Sequence, residues 1–179
     1  MGRTIEYNNA FITMENGLVK KELKYRWHNR ADPDKWLETY DKFYTMYGNI
    51  PKVHSWIGNT IIMDQAPGKI LRELSQEVVR KDYHLIMRDV WGLVSNTFDF
   101  KEHSYIDSNI NPTTANNERW FVHCDMSMYN FMWDTESKCL TLVDVESWSD
   151  THVQFYHMIN KVNTTMNQLL NTREGYYWS

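Results

Sequence analysis

Between positions 120 and 148 the chain reads WFVHCDMSMYNFMWDTESKCLTLVDVESW, and five residues there could do chemistry: His123, Asp125, Asn130, Asp144 and Glu146. The spacing H-x-D-x-x-x-x-N puts an Asp and an Asn in a loop between two apolar, strand-like runs, so both can face one cleft. A second Asp at the end of the next run can join them. Two carboxylates and an amide oxygen are hard oxygen donors, suited to Mg²⁺ bridging phosphate oxygens. Phosphoryl transfer needs such groups, because its catalysis is mostly positioning and neutralisation of developing charge. One carboxylate must stay off the metal, to orient the attacking hydroxyl and accept its proton. Asp125 suits that task, and Asn130 with Asp144 suits the metal. Any one of these residues alone reads as an ordinary turn residue. Their joint spacing between apolar strands singles them out.

Neighbouring residues invite other readings. A zinc site from His103, His123 and Cys124 is conceivable by residue type, but the spacing is unlike zinc patterns. Cys124 lacks a suitable base beside it and reads as a small space-filling residue. Glu146 suits either the metal or an ion pair with a basic residue.

The elements that must position this set follow from periodicity. YNNAFITMENGLVKKELKY alternates apolar and polar residues about Asn16-Gly17, which predicts a β-hairpin. The run from Asp32, an N-cap followed by Pro33, to Gly48 predicts a helix with Trp36, Tyr40, Phe43 and Tyr47 on its core face. KVHSWI and TIIMD predict two strands about a Gly58-Asn59 turn, ended by Pro67-Gly68. A helical pattern spans Lys69 to about Val94. A polar stretch over 95–119 reads as a long loop. RWFVH, FMWD and LTLVDV predict three short strands, and Val153 to Leu170 predicts a last helix.

The bulk composition narrows the classes. With 42% hydrophobic and 15% aromatic residues among 179, the chain can pack a substantial core. A net charge of −4 gives no bulk electrostatic reason to expect a nucleic acid or an anionic membrane as partner. There is no run of 18 apolar residues and no signal-peptide pattern, so the expected location is cytoplasmic. Cys124 and Cys139 form no paired motif and are expected as free thiols. The sequon-like NTT at 163–165 is then a chance match.

The stretch HCDMSMYN resembles the catalytic loop of the protein-kinase-like superfamily, in the branch containing aminoglycoside and choline phosphotransferases. VDVE is similar to that branch's D-x-E or D-x-D metal motif, and the distance between the two motifs, with a strand pair between, also matches. Upstream, NTIIMDQAPGKIL resembles the strand and hinge joining two lobes, where adenine would meet backbone groups near Asp64, Gln65 and Ala66. GLVKKEL resembles the strand carrying the phosphate-binding lysine. Lys20 and Lys21 lie on opposite faces of a strand, and the order apolar-apolar-Lys favours Lys20. Trp36-Leu37-Glu38 opens the helix expected to supply that lysine's partner, Glu38. The resemblance gives His123 a structural place within the loop. It covers about residues 10 to 150, and its specific part is 123–146.

The resemblance implies an α+β, two-lobe protein-kinase-like fold: a small antiparallel β lobe with one helix over 1–65, and an abbreviated, mainly helical lobe over 66–179. It implies an ATP- and Mg²⁺-dependent phosphotransferase acting on a hydroxyl of a small molecule or sugar. Departures also bear on function. The hairpin turn offers only Gly17 where protein kinases have a Gly-rich nucleotide loop. Ser127 stands where protein kinases place a Lys, which favours the small-molecule branch, and no A-P-E follows Asp144. Residues 147–179, 33 in all, are fewer than the usual substrate-binding helices require. A pseudokinase-type nucleotide-binding or scaffolding regulator is the alternative, and a minimal protein kinase the next. The short second lobe makes a homodimer worth testing.

Overall fold

The structure is a computed structural model, and it describes residues 3–24, 33–100, 120–151 and 154–171. Its first part is a five-stranded antiparallel sheet in the order β1-β2-β3-β5-β4. The strands are β1 (Arg3–Glu6), β2 (Ala10–Glu15), β3 (Leu18–Leu23), β4 (Val53–Ile57) and β5 (Thr60–Asp64), with helix α1 (Pro33–Tyr47) between β3 and β4. Asn16 and Gly17 turn β2 into β3 with φ of 53° and 77°, the doubly left-handed turn that suits the right-handed twist of a hairpin. β1 was not expected; it pairs with β2 from Arg3↔Met14 to Glu6↔Phe11. Helix α1 ends where Gly48, at φ +64°, donates its N–H to the Tyr44 carbonyl at 2.8 Å. The expected N-cap, Asp32, lies outside the described residues.

After β5 the chain crosses through Gln65–Gly68 to a second region. Strands β6 (Lys69–Ile70), β8 (Phe131–Asp134) and β9 (Cys139–Leu142) form one sheet, and β7 (Trp120–His123) pairs with β10 (Trp148–Thr151) in another. Helices α2 (Gln76–Asp99) and α3 (Gln154–Asn171) pack on them. The helix expected from Lys69 begins seven residues later. Lys69 and Ile70 are claimed by pairing with Trp133 and Met132, and Ser75 caps α2 by accepting the Val78 N–H. Gly68 permits the crossing. At φ +88° it lies so close to β8 that a Cβ would overlap the Trp133 carbonyl and stand 2.6 Å from the Asp134 nitrogen. The expected loop over 95–119 is helical through Asp99, and its remainder from 101 lies outside the described residues.

One apolar core joins the two regions. The α1 stripe of Trp36, Tyr40 and Phe43 is buried against Phe121 of β7 and Trp148 of β10. Phe121 stacks on Trp148 at 5.1 Å, and Phe43 meets Trp148 at 4.8 Å. Helix α2 buries Val79, Asp82, Ile86, Val90, Leu93 and Thr97, a stripe stepping by three and four residues. Asp82 is buried because Trp133 Nε1 and Lys138 Nζ both donate to its Oδ2, at 3.0 and 2.7 Å.

Candidate active site

His123 ends β7 fully buried and ties the two motifs together. Its Nε2 lies 3.0 Å from the Val143 carbonyl and 3.1 Å from that of Asp144. Both partners are acceptors, so Nε2 carries the proton. Nδ1 is then the acceptor for the Asp125 N–H at 3.2 Å. Burial holds the imidazole below its ordinary pKa and keeps it neutral, as this arrangement requires. With both ring nitrogens engaged, His123 is neither a base nor a zinc ligand; His103 lies outside the described residues.

The loop after His123 is closed by its own hydrogen bonds. Asn130 Nδ2 donates to the Asp125 carbonyl at 2.9 Å and to Asp125 Oδ2 at 3.0 Å, and Ser127 Oγ donates to the same carboxylate oxygen at 3.4 Å. The Val143 N–H donates to the Asn130 carbonyl at 2.8 Å, docking the loop on the segment that leads to Asp144. From behind, Thr165 Oγ1 of α3 donates to the Met126 carbonyl at 2.9 Å. Asp125 and Asn130 therefore share one hydrogen-bonded loop. With its side-chain Nδ2 turned to Asp125, Asn130 keeps its side-chain Oδ1 for another partner.

Asp144 sits at φ +68°, a left-handed conformation uncommon outside glycine and a mark of a backbone held by its surroundings. The chain turns there into a single 3-10 turn, Val145–Ser147, which puts Glu146 beside Asp144. Lys21 reaches both carboxylates from β3. Its Nζ donates to Asp144 Oδ1 at 2.5 Å and pairs with Glu146 Oε1, while Ser147 Oγ donates to Asp144 Oδ2 at 2.5 Å. The Lys21 side chain is 7% exposed and that of Glu146 3%. Burial alone would raise the Asp144 pKa. The adjacent Lys21 ammonium and the hydrogen bonds it accepts outweigh that and bring it down to about 2. Glu146 goes the other way, to about 7, because burial and then the Asp144 charge disfavour its ionisation. Burial would lower Lys21, but the two carboxylates win and its pKa is raised.

The structure differs from expectation on the lysine. Lys20 lies on the outer face of β3 and pairs with Glu22 at 2.8 Å, both about half exposed. Lys21 lies on the inner face, alternating with Val19 and Leu23, and Leu23 is itself buried. The signal was present in the sequence: Lys21, not Lys20, shares its strand face with two apolar residues. Glu38 is not brought to the cluster either. It points outward from α1 and pairs with Lys42, one helical turn on, at 2.8 Å, because Trp36, Tyr40 and Phe43 occupy the inner face. Asp64 ends β5 with its carboxylate on His54 at 2.7 Å, the Gln65 N–H is taken by the Gly17 carbonyl at 2.9 Å, and Ala66 is buried. That bond places the Asn16-Gly17 turn at the end of the sheet where the chain leaves β5. The unexpected β1–β2 turn, Tyr7–Asn9, is at the other end and contains no glycine.

The donor set fits a hard cation. The Asn130 side-chain Oδ1 is turned away from Asp125, and the Asp144 carboxylate, which accepts from Lys21 and Ser147, is the second hard oxygen donor. Among the described residues no three His, Cys, Asp or Glu side chains cluster as a metal site. Cys124 and Cys139 are unbridged. No helix among the described residues is long and apolar enough to cross a membrane.

No protein-family model and no curated protein matches the chain. Solved structures do. A kinase of Cydia pomonella granulovirus, PK-1, superposes with a TM-score of 0.57 at 13% identity, over 96% of this chain and 70% of that one. The aminoglycoside phosphotransferase APH(3'')-Id of Streptomyces rimosus gives 0.52 at 12% identity, over 99% of this chain and 87% of its own. A choline/ethanolamine kinase family protein of Mesorhizobium loti gives 0.52 at 11%, over 96% of this chain and 65% of its own. Likeness at such low identity speaks for architecture: the chain has a protein-kinase-like fold, an antiparallel sheet lobe joined to a helical region.

Proposed function

We propose that this chain transfers the γ-phosphoryl group of ATP to a hydroxyl of a small molecule or sugar. The observation that carries the reading is the buried Lys21–Asp144–Glu146 cluster, which joins the sheet to the second region and is fixed through His123 to the loop bearing Asp125 and Asn130. In this reading the lobes divide at 65/66 and adenine lies at the Asp64–Ala66 crossing. Lys21, in place of Lys20, meets the α- and β-phosphates. Mg²⁺ held by the Asn130 side-chain Oδ1 and Asp144 would neutralise charge on the phosphate oxygens. Asp125, oriented by Asn130, aligns the acceptor hydroxyl and takes its proton as the acceptor oxygen bonds to the γ-phosphorus. The bond from phosphorus to the β,γ-bridging oxygen breaks, and ADP leaves. Asp125→Ala is expected to lower turnover by about two to four orders of magnitude with little change in nucleotide affinity. Full activity in that variant would sink the assignment.

One observation favours a second reading. The β1–β2 turn, Tyr7–Asn9, has no glycine to let its backbone approach phosphates closely. A nucleotide-binding regulator without turnover would tolerate that turn. Phosphate transfer to any of a panel of sugars and amino alcohols separates the two, whereas ATP binding alone does not.

A further inference from the structure

We infer that Glu146 is the positioning partner of Lys21, doing for the phosphate-facing lysine what the helix residue Glu38 was expected to do; the inference rests on the ATP-dependent reading above. Three observations converge on it. Glu38 is 64% exposed, turned away from β3 and paired with Lys42. The inner face of α1 carries Trp36, Tyr40 and Phe43, all essentially inaccessible to solvent, so this stretch of the helix has no carboxylate facing the sheet. Glu146 is 3% exposed and meets Lys21 Nζ directly.

The geometry also distinguishes the two carboxylates that Lys21 touches. Asp144 and Glu146 flank one residue of a tight 3-10 turn, and Asp144 is the one backed by Ser147 and set beside the Asn130 loop through His123. Once Asp144 is engaged with a cation, its attraction for the lysine falls, and Glu146 is the carboxylate left to hold Lys21 extended across the cleft. Without it, a flexible four-carbon stem would have to be ordered by the phosphates alone, which carries an entropy cost.

The test compares binding of Mg²⁺·ATP with binding of adenosine, by calorimetry, in the unmodified chain, Glu146→Gln and Glu38→Gln. A positioning role predicts that Glu146→Gln weakens ATP by roughly 10- to 100-fold, the worth of a hydrogen bond to a charged group. Adenosine, which lacks phosphates, should bind as before. General damage to the fold would weaken both ligands together. The inference is overturned if Glu146→Gln keeps the full advantage of ATP over adenosine, or if Glu38→Gln is the variant that loses it. No ATP binding by the unmodified chain would instead overturn the kinase reading itself. Should Glu146→Gln not fold, a crystal structure of the unmodified chain with Mg²⁺ and a non-hydrolysable ATP analogue decides the point. Lys21 Nζ within hydrogen-bond distance of Glu146 supports the inference, and Lys21 detached from Glu146 refutes it.

Discussion

Replacing Lys21 with Met removes an ammonium from between two carboxylates while nearly conserving side-chain volume, and its cost follows from the cluster's titration. Asp144 is held at about 2 against an ordinary 3.8. A depressed folded value contributes stability that is present above the unfolded pKa and lost as the pH falls toward 2. At neutral pH that difference is worth about 2 kcal/mol. Glu146, raised to about 7 from 4.5, has the opposite sign: its contribution is present below about pH 4.5 and is lost as the pH rises to 7. Lys21 lowers the Glu146 value, so removing the lysine moves it above 7 and carries the loss into a range where the unmodified protein no longer changes. The deficit of Lys21→Met should therefore be about 3–5 kcal/mol near pH 8, the scale for breaking a buried pair. Near pH 6, where a protonated Glu146 can donate to Asp144, it should shrink by about 1–2 kcal/mol. Lys20→Met, removing half of a half-exposed pair with Glu22, should cost no more than about 0.5 kcal/mol. Urea denaturation followed by tryptophan fluorescence, at both pH values, measures all of this. Equal losses in the two variants, or a Lys21→Met deficit that does not change with pH, would refute the assignment of Lys21 to the buried cluster.

Two further outcomes are expected. With ATP and Mg²⁺ at about 100 times the dissociation constant, thermal unfolding should register about 2.7 kcal/mol of added stability. The gain should need magnesium and disappear in Asp144→Asn; a gain of the same size without magnesium would remove Asp144 from the metal site. Gly68→Ala puts a methyl group against the Trp133 carbonyl at φ +88° and should cost about 2 kcal/mol or more, read as a lower denaturation midpoint. Near-neutral behaviour of that variant would mean that β6 and β8 do not approach as closely as described.

Much of the architecture was legible because it is local. The hairpin turn at Asn16-Gly17, the aromatic stripe of α1 and the alternation in VHSWI and TIIMD each record a period of two or of 3.6 residues, and each element formed where its period predicts. What went unseen depends on partners far away in the chain. Lys69 and Ile70 fit a helical pattern as well as an extended one, and β8 decides by pairing with them. β10 exists because Trp148–Thr151 meets β7, 28 residues earlier counted from Trp148 to Trp120, and the sequence WSDT has no strand signal of its own.

For the site, sequence by itself determined which residue types are present and that Asp125, Asn130 and Asp144 fall on loops between apolar strands. Spacing along a chain encodes local geometry, and H-x-D-x-x-x-x-N describes a loop that closes on itself, as the Asn130–Asp125 hydrogen bonds do. Which lysine faces that loop, and which carboxylate faces the lysine, were decided by tertiary structure. Strand register turns Lys21 inward, a face of packed aromatic rings turns Glu38 outward, and the turn that follows the left-handed Asp144 sets Glu146 against Lys21. Ion pairs across 123 residues of sequence leave no periodic trace. They arise when the folded core brings two surfaces together and burial makes an unpaired charge too costly to keep.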